Sequence, residues 1–289
     1  MKFSRWALSA AAISALMVGG VARAELKTYI DQDEKVGDAA LVPGSQSAVQ
    51  RDLFLDAIVA TSLKTETFES FTNGTKATNG LTVFGANSGI TMTSIPGAVN
   101  NVTGDESTLT GRFNTTQGCT NPLGCNWWET DGGFTISFDR GYSAFAFYGT
   151  DFSDYGATVT LQLVNSITGE ISSILVSQGG QVVNANAQTS TNDGGSGKGG
   201  STSTDVNNTG SLLHFGFTDN SGTTYSSATI LISQIQGSPN GTDFVGFDDF
   251  IVGDSKMGGN VPEPGSLALV GLSLLGLAAA RRRKAAAQA

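Results

Sequence analysis

Phe134-Thr135-Ile136-Ser137-Phe138, followed shortly by Ala144-Phe145-Ala146-Phe147-Tyr148, is the stretch that decides the fold. Side chains of a strand alternate between its two faces, so period two puts Phe134, Ile136 and Phe138 on one side and Thr135 and Ser137 on the other. The pattern predicts a strand with one face in a core. It recurs on both sides of this stretch. Thr67 to Phe71 sets Phe68 against Glu69, and Phe145 and Phe147 alternate with Ala144, Ala146 and Tyr148. Val159, Leu161 and Leu163 alternate with Thr158, Thr160 and Gln162. Leu213, Phe215 and Phe217 alternate with Leu212, His214 and Gly216, and Ile230 and Ile232 with Leu231 and Ser233. Asn165 to Glu170 holds a Gly169 turn, which should close a hairpin with Ile171 to Val176. Roughly ten short half-buried strands predict an all-β fold, an antiparallel two-sheet jelly-roll-like β-sandwich over residues 65–254.

Composition agrees. Charged residues make up 14% of the chain, against 38 Gly, and 16 Phe supply the core that few aliphatic runs provide. Residues 25–64 form an N-terminal segment with one expected helix, 47–60. Ser47-Ala48-Val49-Gln50 matches a capping box, and Val49, Leu53, Phe54, Ala57 and Ile58 make an apolar stripe from which Arg51, Asp52 and Asp56 fall away. That stripe should pack on a sheet face or across an open end of the sandwich. Residues 188–211 interrupt the strand pattern with Gly, Ser, Thr, Asn and Asp, a composition that buries nothing and predicts a mobile surface insert.

Both ends read as signal helices. Lys2 and Arg5 precede an apolar run from Trp6 to Val21, and Ala22-Arg23-Ala24 fits small-x-small cleavage, so residues 1–24 are expected to be a signal peptide removed by signal peptidase. At the other end a linker and tail, 255–289, contains Val261-Pro262-Glu263-Pro264, an uncharged Gly265 to Ala280, and the basic stop Arg281-Arg282-Arg283-Lys284. As a helix, 265–280 would be about 24 Å long against a hydrocarbon core of about 30 Å, enough for a transient membrane span. The four cations should stay cytoplasmic. The two prolines hold the preceding backbone extended and accessible.

This tail resembles the PEP-CTERM signal read by exosortases in Gram-negative bacteria. The body also resembles a recurrent group of PEP-CTERM proteins. The likeness rests on Arg51-Asp-Leu-Phe-Leu-Asp-Ala-Ile58 before Glu66-Thr-Phe-Glu-Ser-Phe71, on Gly111-Arg-Phe-Asn-Thr115 before Trp128-Glu-Thr130, and on Ala144 to Asp151. Leu213-His-Phe-Gly-Phe217 and Phe244-Val-Gly-Phe-Asp-Asp-Phe250 complete it. The resemblance implies an exosortase-type processing enzyme as partner, a jelly-roll-like sandwich, and an exopolysaccharide-associated setting without a known activity. The expected route is export across the inner membrane, transient anchoring there, then the cell surface or extracellular matrix.

Residues 25–262 hold 9 basic and 24 acidic residues, a net charge of −15. Such a surface repels nucleic acid and anionic lipid, leaving neutral sugars, cations and basic polymers as partners. Cys119 and Cys125 are the only cysteines, and in an exported chain they are expected to close a small disulfide loop. The only histidine, His214, lies opposite Phe215 on its strand, at an expected surface or edge position, with no Gly-x-Ser-x-Gly elbow beside it. Trp127, Trp128 and Glu129 resemble a sugar-stacking platform beside an acid. Glu129 with Asp131 or Asp151 could serve a glycoside hydrolase if suitably spaced. Asp151, Asp154, Asp243, Asp248 and Asp249 form an acidic group; Asp151, Asp154 and Asp248 are the candidate ligands of a structural calcium. Asp248 and Asp249, adjacent on a strand, should point to opposite faces. The expected function is a non-enzymatic, exported protein of the exopolysaccharide or biofilm matrix. The alternatives are a polysaccharide-active hydrolase and a calcium-dependent adhesin.

Overall fold

The computed structural model describes residues 26–33, 44–104, 112, 114–116, 125–151, 158–178, 181–183, 211–233 and 244–256. The expected signal peptide, nearly all of the insert 188–211, and the tail with Val261 to Pro264, helix 265–280 and Arg281 to Lys284 lie outside these residues. So do Cys119, Asp154 and Asp243. Among the described residues no helix is long and apolar enough to cross a membrane.

Two antiparallel sheets face each other, as the alternation predicts. The first runs β1 (Leu26–Asp33), β12 (Leu212–Asp219), β8 (Ala144–Thr150), β14 (Val245–Gly253), β6 (Trp127–Thr130) and β5 (Asn100–Thr103), with β2 (Lys64–Glu66) also paired to β14. The second runs β11 (Gln181–Val182), β10 (Ile171–Gln178), β9 (Thr158–Asn165), β13 (Tyr225–Ser233), β7 (Phe134–Tyr142), β4 (Ile90–Ser94) and β3 (Leu81–Val83). The β9–β10 hairpin forms as expected, Ile171 opposite Val164, with Gly169 at φ +72° in its turn.

The core between the sheets is aromatic. Phe134 packs edge-on to Phe247 at 5.1 Å and to Phe250 at 5.8 Å, and Phe147 meets Phe215 at 5.5 Å. Ile136, Val159, Leu161, Leu163 and Ile230 fill the face of the second sheet.

Several local expectations are corrected. Thr67 to Phe71 is not a strand. Phe68 has φ +58° and turns inward, its N–H donating to Glu66 Oε1 while the N–H of Phe84, at φ +62°, donates to the other oxygen. The helix α1 spans Gln46–Asp56, capped by Ser45, whose hydroxyl accepts the Ala48 N–H. Ser47, placed at the cap by its spacing to Gln50, is instead buried and bonds Asp33 through its N–H and hydroxyl. The inward face is Ser47, Ala48 and Phe54, continued by Ile58 just past the helix, so Val49 and Leu53 are 44% and 49% exposed.

This helix lies on the outer face of the first sheet, over β1 and β12. β8 and β12 are therefore buried on both faces rather than half-buried, while the edge strand β1 buries only Tyr29 and Ile30. Room for the helix comes from small residues. A Cβ on Gly216 would lie 2.8 Å from the Phe54 ring, and Ala144 and Ala146 join Phe54 and Ile58 in one apolar cluster.

Among the described residues no helix lies on the outer face of the second sheet. Its side chains line up in register across strands. One rank is Thr82, Thr91, Ser137, Ser227, Val164 and Ile171. The next is Thr93, Thr135, Thr229, Gln162 and Ser173. All are half-buried or exposed.

Candidate functional site

His214 and Asp248, both singled out in the sequence, lie in one row on the outer side of the first sheet. Register places Asp31, His214, Tyr148 and Asp248 side by side on β1, β12, β8 and β14. The last three are buried. α1 covers one end of this row, and Thr115 sits over the other.

His214 is 1% exposed, a correction to its expected surface position; the helix that covers β12 is the cause. Its ring lies 5.2 Å from Tyr148 and 6.0 Å from Phe54. Nδ1 is 3.2 Å from the Tyr29 carbonyl, which can only accept, so Nδ1 carries the proton and Nε2 is the bare nitrogen. Burial drives its pKa down to about 3, so the ring is neutral at physiological pH.

Asp248 and Asp249 do not point apart. A bulge interrupts the β14–β8 register between Asp248 and Ile251, and Asp249 has φ +47°, so strict alternation fails there. Both carboxylates converge on Thr115. Its Oγ1 is 3.2 Å from Asp248 Oδ2 and 3.0 Å from Asp249 Oδ2. One hydroxyl donates one proton, so both contacts are hydrogen bonds only when one carboxyl is itself protonated. Burial, then the neighbouring Asp249, pushes Asp248 well above the usual carboxylate range; burial also raises Asp249. Both effects favour a proton on the pair, the state in which Thr115 Oγ1 can bond both carboxyls. Asp248 Oδ2 also accepts the Thr115 N–H and Oδ1 the Asp249 N–H, while Asp249 Oδ1 accepts the Thr116 hydroxyl.

Arg112 ties the remaining acids. Its Nε donates to Glu129 Oε2 at 3.0 Å and Nη1 to Asp151 Oδ2 at 3.3 Å and the Phe244 carbonyl at 3.2 Å. One guanidinium thus bridges the two carboxylates that a hydrolytic reading would pair. Asp131 accepts the Val99 N–H at 2.6 Å, which makes it a turn fastener. Of the expected calcium ligands, Asp151 is salt-bridged and Asp248 is filled by N–H donors. Among the described residues no three His, Cys, Asp or Glu side chains group as metal ligands.

Trp127 and Trp128 are 1% and 0% exposed, so neither offers a ring face to a sugar. Trp128 stacks on Phe68 at 6.1 Å and meets Phe134 edge-on at 6.2 Å. Trp127 takes the opposite side of β6. A Cβ on Gly246 would stand 3.2 Å from its Cδ1 and 3.5 Å from the Arg112 Cβ. The sugar-stacking expectation is corrected on this ground: β6 has protein on both sides. Cys125 is likewise buried. Its expected bond to Cys119 lies outside the described residues.

Sequence reading missed the ordered hydroxyl face of the second sheet. Its signal was present in the polar halves of the alternating stretches, Thr135 and Ser137 or Thr160 and Gln162, which served only to place the strands.

Comparison with known proteins bears on the tail and body separately. A family profile described as the PEP-CTERM protein-sorting motif matches residues 260–284. No curated protein matches the sequence. Among solved structures, the K2 cleaved adhesin domain of Lys-gingipain is similar with a TM-score of 0.37 and 14% identity, over 67% of this chain and 98% of that one. The xylanase 10B CBM22-1–GH10 modules of Clostridium thermocellum, complexed with xylohexaose, align with a TM-score of 0.32 and 10% identity, over 68% and 29%. The family 11 carbohydrate-binding module of Clostridium thermocellum, in complex with a β-1,3-1,4-mixed-linked tetrasaccharide, gives 0.22 and 13%, over 64% and 98%. At these scores the three carry no argument about ligands. The motif implies export and recognition by an exosortase, and the chain thus carries a PEP-CTERM protein-sorting motif at 260–284 and a two-sheet antiparallel β-sandwich body.

Proposed function

We propose that this protein is delivered to the cell surface or extracellular matrix and associates there with polysaccharide by binding, without catalysis. The sorting motif at 260–284 carries the reading: it implies export and exosortase processing, which supports an encounter of this acidic sandwich with secreted polymers. Signal peptidase at Ala24 and an exosortase at the tail are the processing partners. Three features of the body support binding over hydrolysis. Arg112 engages both Glu129 and Asp151, His214 is sealed under α1, and the Asp248–Asp249 pair is covered by Thr115. The acidic balance also disfavours nucleic acid and anionic lipid surfaces.

The test is fractionation of the producing cells into membrane, surface polymer and medium. The protein should co-purify with the polymer fraction and be released when that polymer is enzymatically digested. Recovery in the inner membrane alone, or release that ignores digestion, would defeat the proposal.

A further inference from the structure

We infer that the outer face of the second sheet is the contact surface for a neutral, hydroxyl-rich polysaccharide chain, an inference that rests on the polysaccharide reading above and gives it a location. The face is built by register. Thr93, Thr135, Thr229 and Gln162 stand on four adjacent strands, β4, β7, β13 and β9, each directly opposite the next. Strands lie about 4.8 Å apart and same-face residues about 6.7 Å apart along a strand, so the hydroxyls and amides form a regular grid. Within it the Thr135 and Thr229 hydroxyls are 2.9 Å apart. Donation between them leaves one hydroxyl proton directed outward and acceptor lone pairs on both oxygens.

The parallel rank extends the grid across six strands, about 24 Å, room for several rings of an extended glycan. It ends on Val164 and Ile171, the latter 64% exposed, which offer apolar surface to sugar C–H groups. Threonine methyls do the same within the grid.

Charge selects the occupant. The eleven side chains of the two ranks include no acid or base, in a stretch of chain, 25–262, that carries net −15. Beyond Ser137 the β7–β13 register is interrupted, and the acid of that stretch, Asp139, is paired with Lys64 at 3.0 Å. An anionic polymer or a second copy of this acidic chain would meet repulsion around the face, and a basic partner would find no carboxylate within it. A neutral chain of donors and acceptors meets neither cost. The face also differs in kind from the expected Trp127–Trp128 platform, because it works through hydroxyl and amide hydrogen bonds rather than ring stacking.

The experiment is affinity electrophoresis of the full-length chain, purified in a zwitterionic detergent. Gels contain hydroxyethylcellulose, mixed-linkage β-glucan or dextran as neutral probes, and alginate as the anionic control. Retardation is expected with at least one neutral probe and not with alginate. The triple variant Thr93→Val, Thr135→Val, Thr229→Val keeps shape and β-branching while removing three hydroxyls. It should raise the apparent Kd at least tenfold. A single Thr229→Asp variant, which places one anion at the centre, should weaken binding similarly, and both variants should unfold at the wild-type urea midpoint. Wild-type retardation that survives in both variants would overturn this face as the site while leaving polysaccharide binding intact. Absence of retardation in every neutral gel would overturn the polysaccharide reading and this inference with it. Preference for alginate, or a dimer of the wild type that the valine variant dissolves, would overturn the neutral-glycan assignment.

Discussion

Replacing Trp128 by alanine separates a core residue from a sugar platform. Its side chain is fully buried, stacked on Phe68 and edge-on to Phe134, which in turn packs on Phe247 and Phe250. Truncating such a ring removes transfer free energy and leaves a cavity that this aromatic layer closes only in part, a cost of about 3–5 kcal/mol. Whole domains are stable by only about 5–15 kcal/mol, so the loss is a large share of the total. With a urea slope near 3 kcal/mol/M for a body of this size, the midpoint should fall by about 1–1.7 M at unchanged slope. The indole Nε1 has no hydrogen-bond partner in the core, so Trp128→Phe should be much milder, losing one ring's contacts but relieving a buried donor. Urea titration followed by far-ultraviolet circular dichroism reads both variants. A Trp128→Ala midpoint within 0.3 M of wild type, combined with lost polysaccharide binding, would refute the placement of this ring in the core.

Other predictions concern the buried ionisable groups. Asp248 and Asp249 have raised folded pKa values, so their contribution is fully present below the unfolded value of about 3.9 and is lost as pH rises through the folded values. Asp249→Asn should flatten this slope and be tolerated, because both its partners are hydroxyls that can also accept; an unchanged pH profile would count against the raised pKa values of the pair. Asp248→Asn should cost about 1–3 kcal/mol, because both its oxygens accept backbone N–H groups and an amide turns a donor toward one of them. His214 has the opposite sign. Its pKa is depressed to about 3, so folding loses stability as pH falls from about 6.5, at about 1.4 kcal/mol per pH unit. His214→Asn, which keeps a donor toward the Tyr29 carbonyl, should abolish that acid limb in urea titrations between pH 4 and 7; a retained limb would show the ring is charged or exposed.

Period-two alternation was enough to reveal two antiparallel sheets, because β7, β9 and β13 each have one wet face. It failed where a third layer intervenes. β8 and β12 look half-buried in sequence, yet α1 buries their outer sides; Ala144, Ala146 and Gly216 were the local sign, since small outward residues make space for a helix. The capping box misled because Ser45, two residues before Ser47, is the cap, while Ser47 lies inside α1 and bonds Asp33. Two neighbouring tryptophans suggested a platform because one of any adjacent pair on a strand normally faces solvent. On β6 the Arg112 strut covers the outer side as well, a tertiary fact without a local signature. The convergence of Asp248 and Asp249 depends on a bulge and a left-handed residue that strand pattern does not encode. The sorting tail was legible because its parts are contiguous.

That tail also gives the most direct test of the whole account. Mass spectrometry of the protein recovered outside the cells, compared between the wild-type chain and one lacking residues 260–289, reads processing and destination together. The wild type should end upstream of Arg281-Arg282-Arg283-Lys284, and the truncated chain should lose its attachment to surface polymer. An intact C-terminus on the external wild-type protein, or identical placement of the truncated chain, would contradict sorting by this motif.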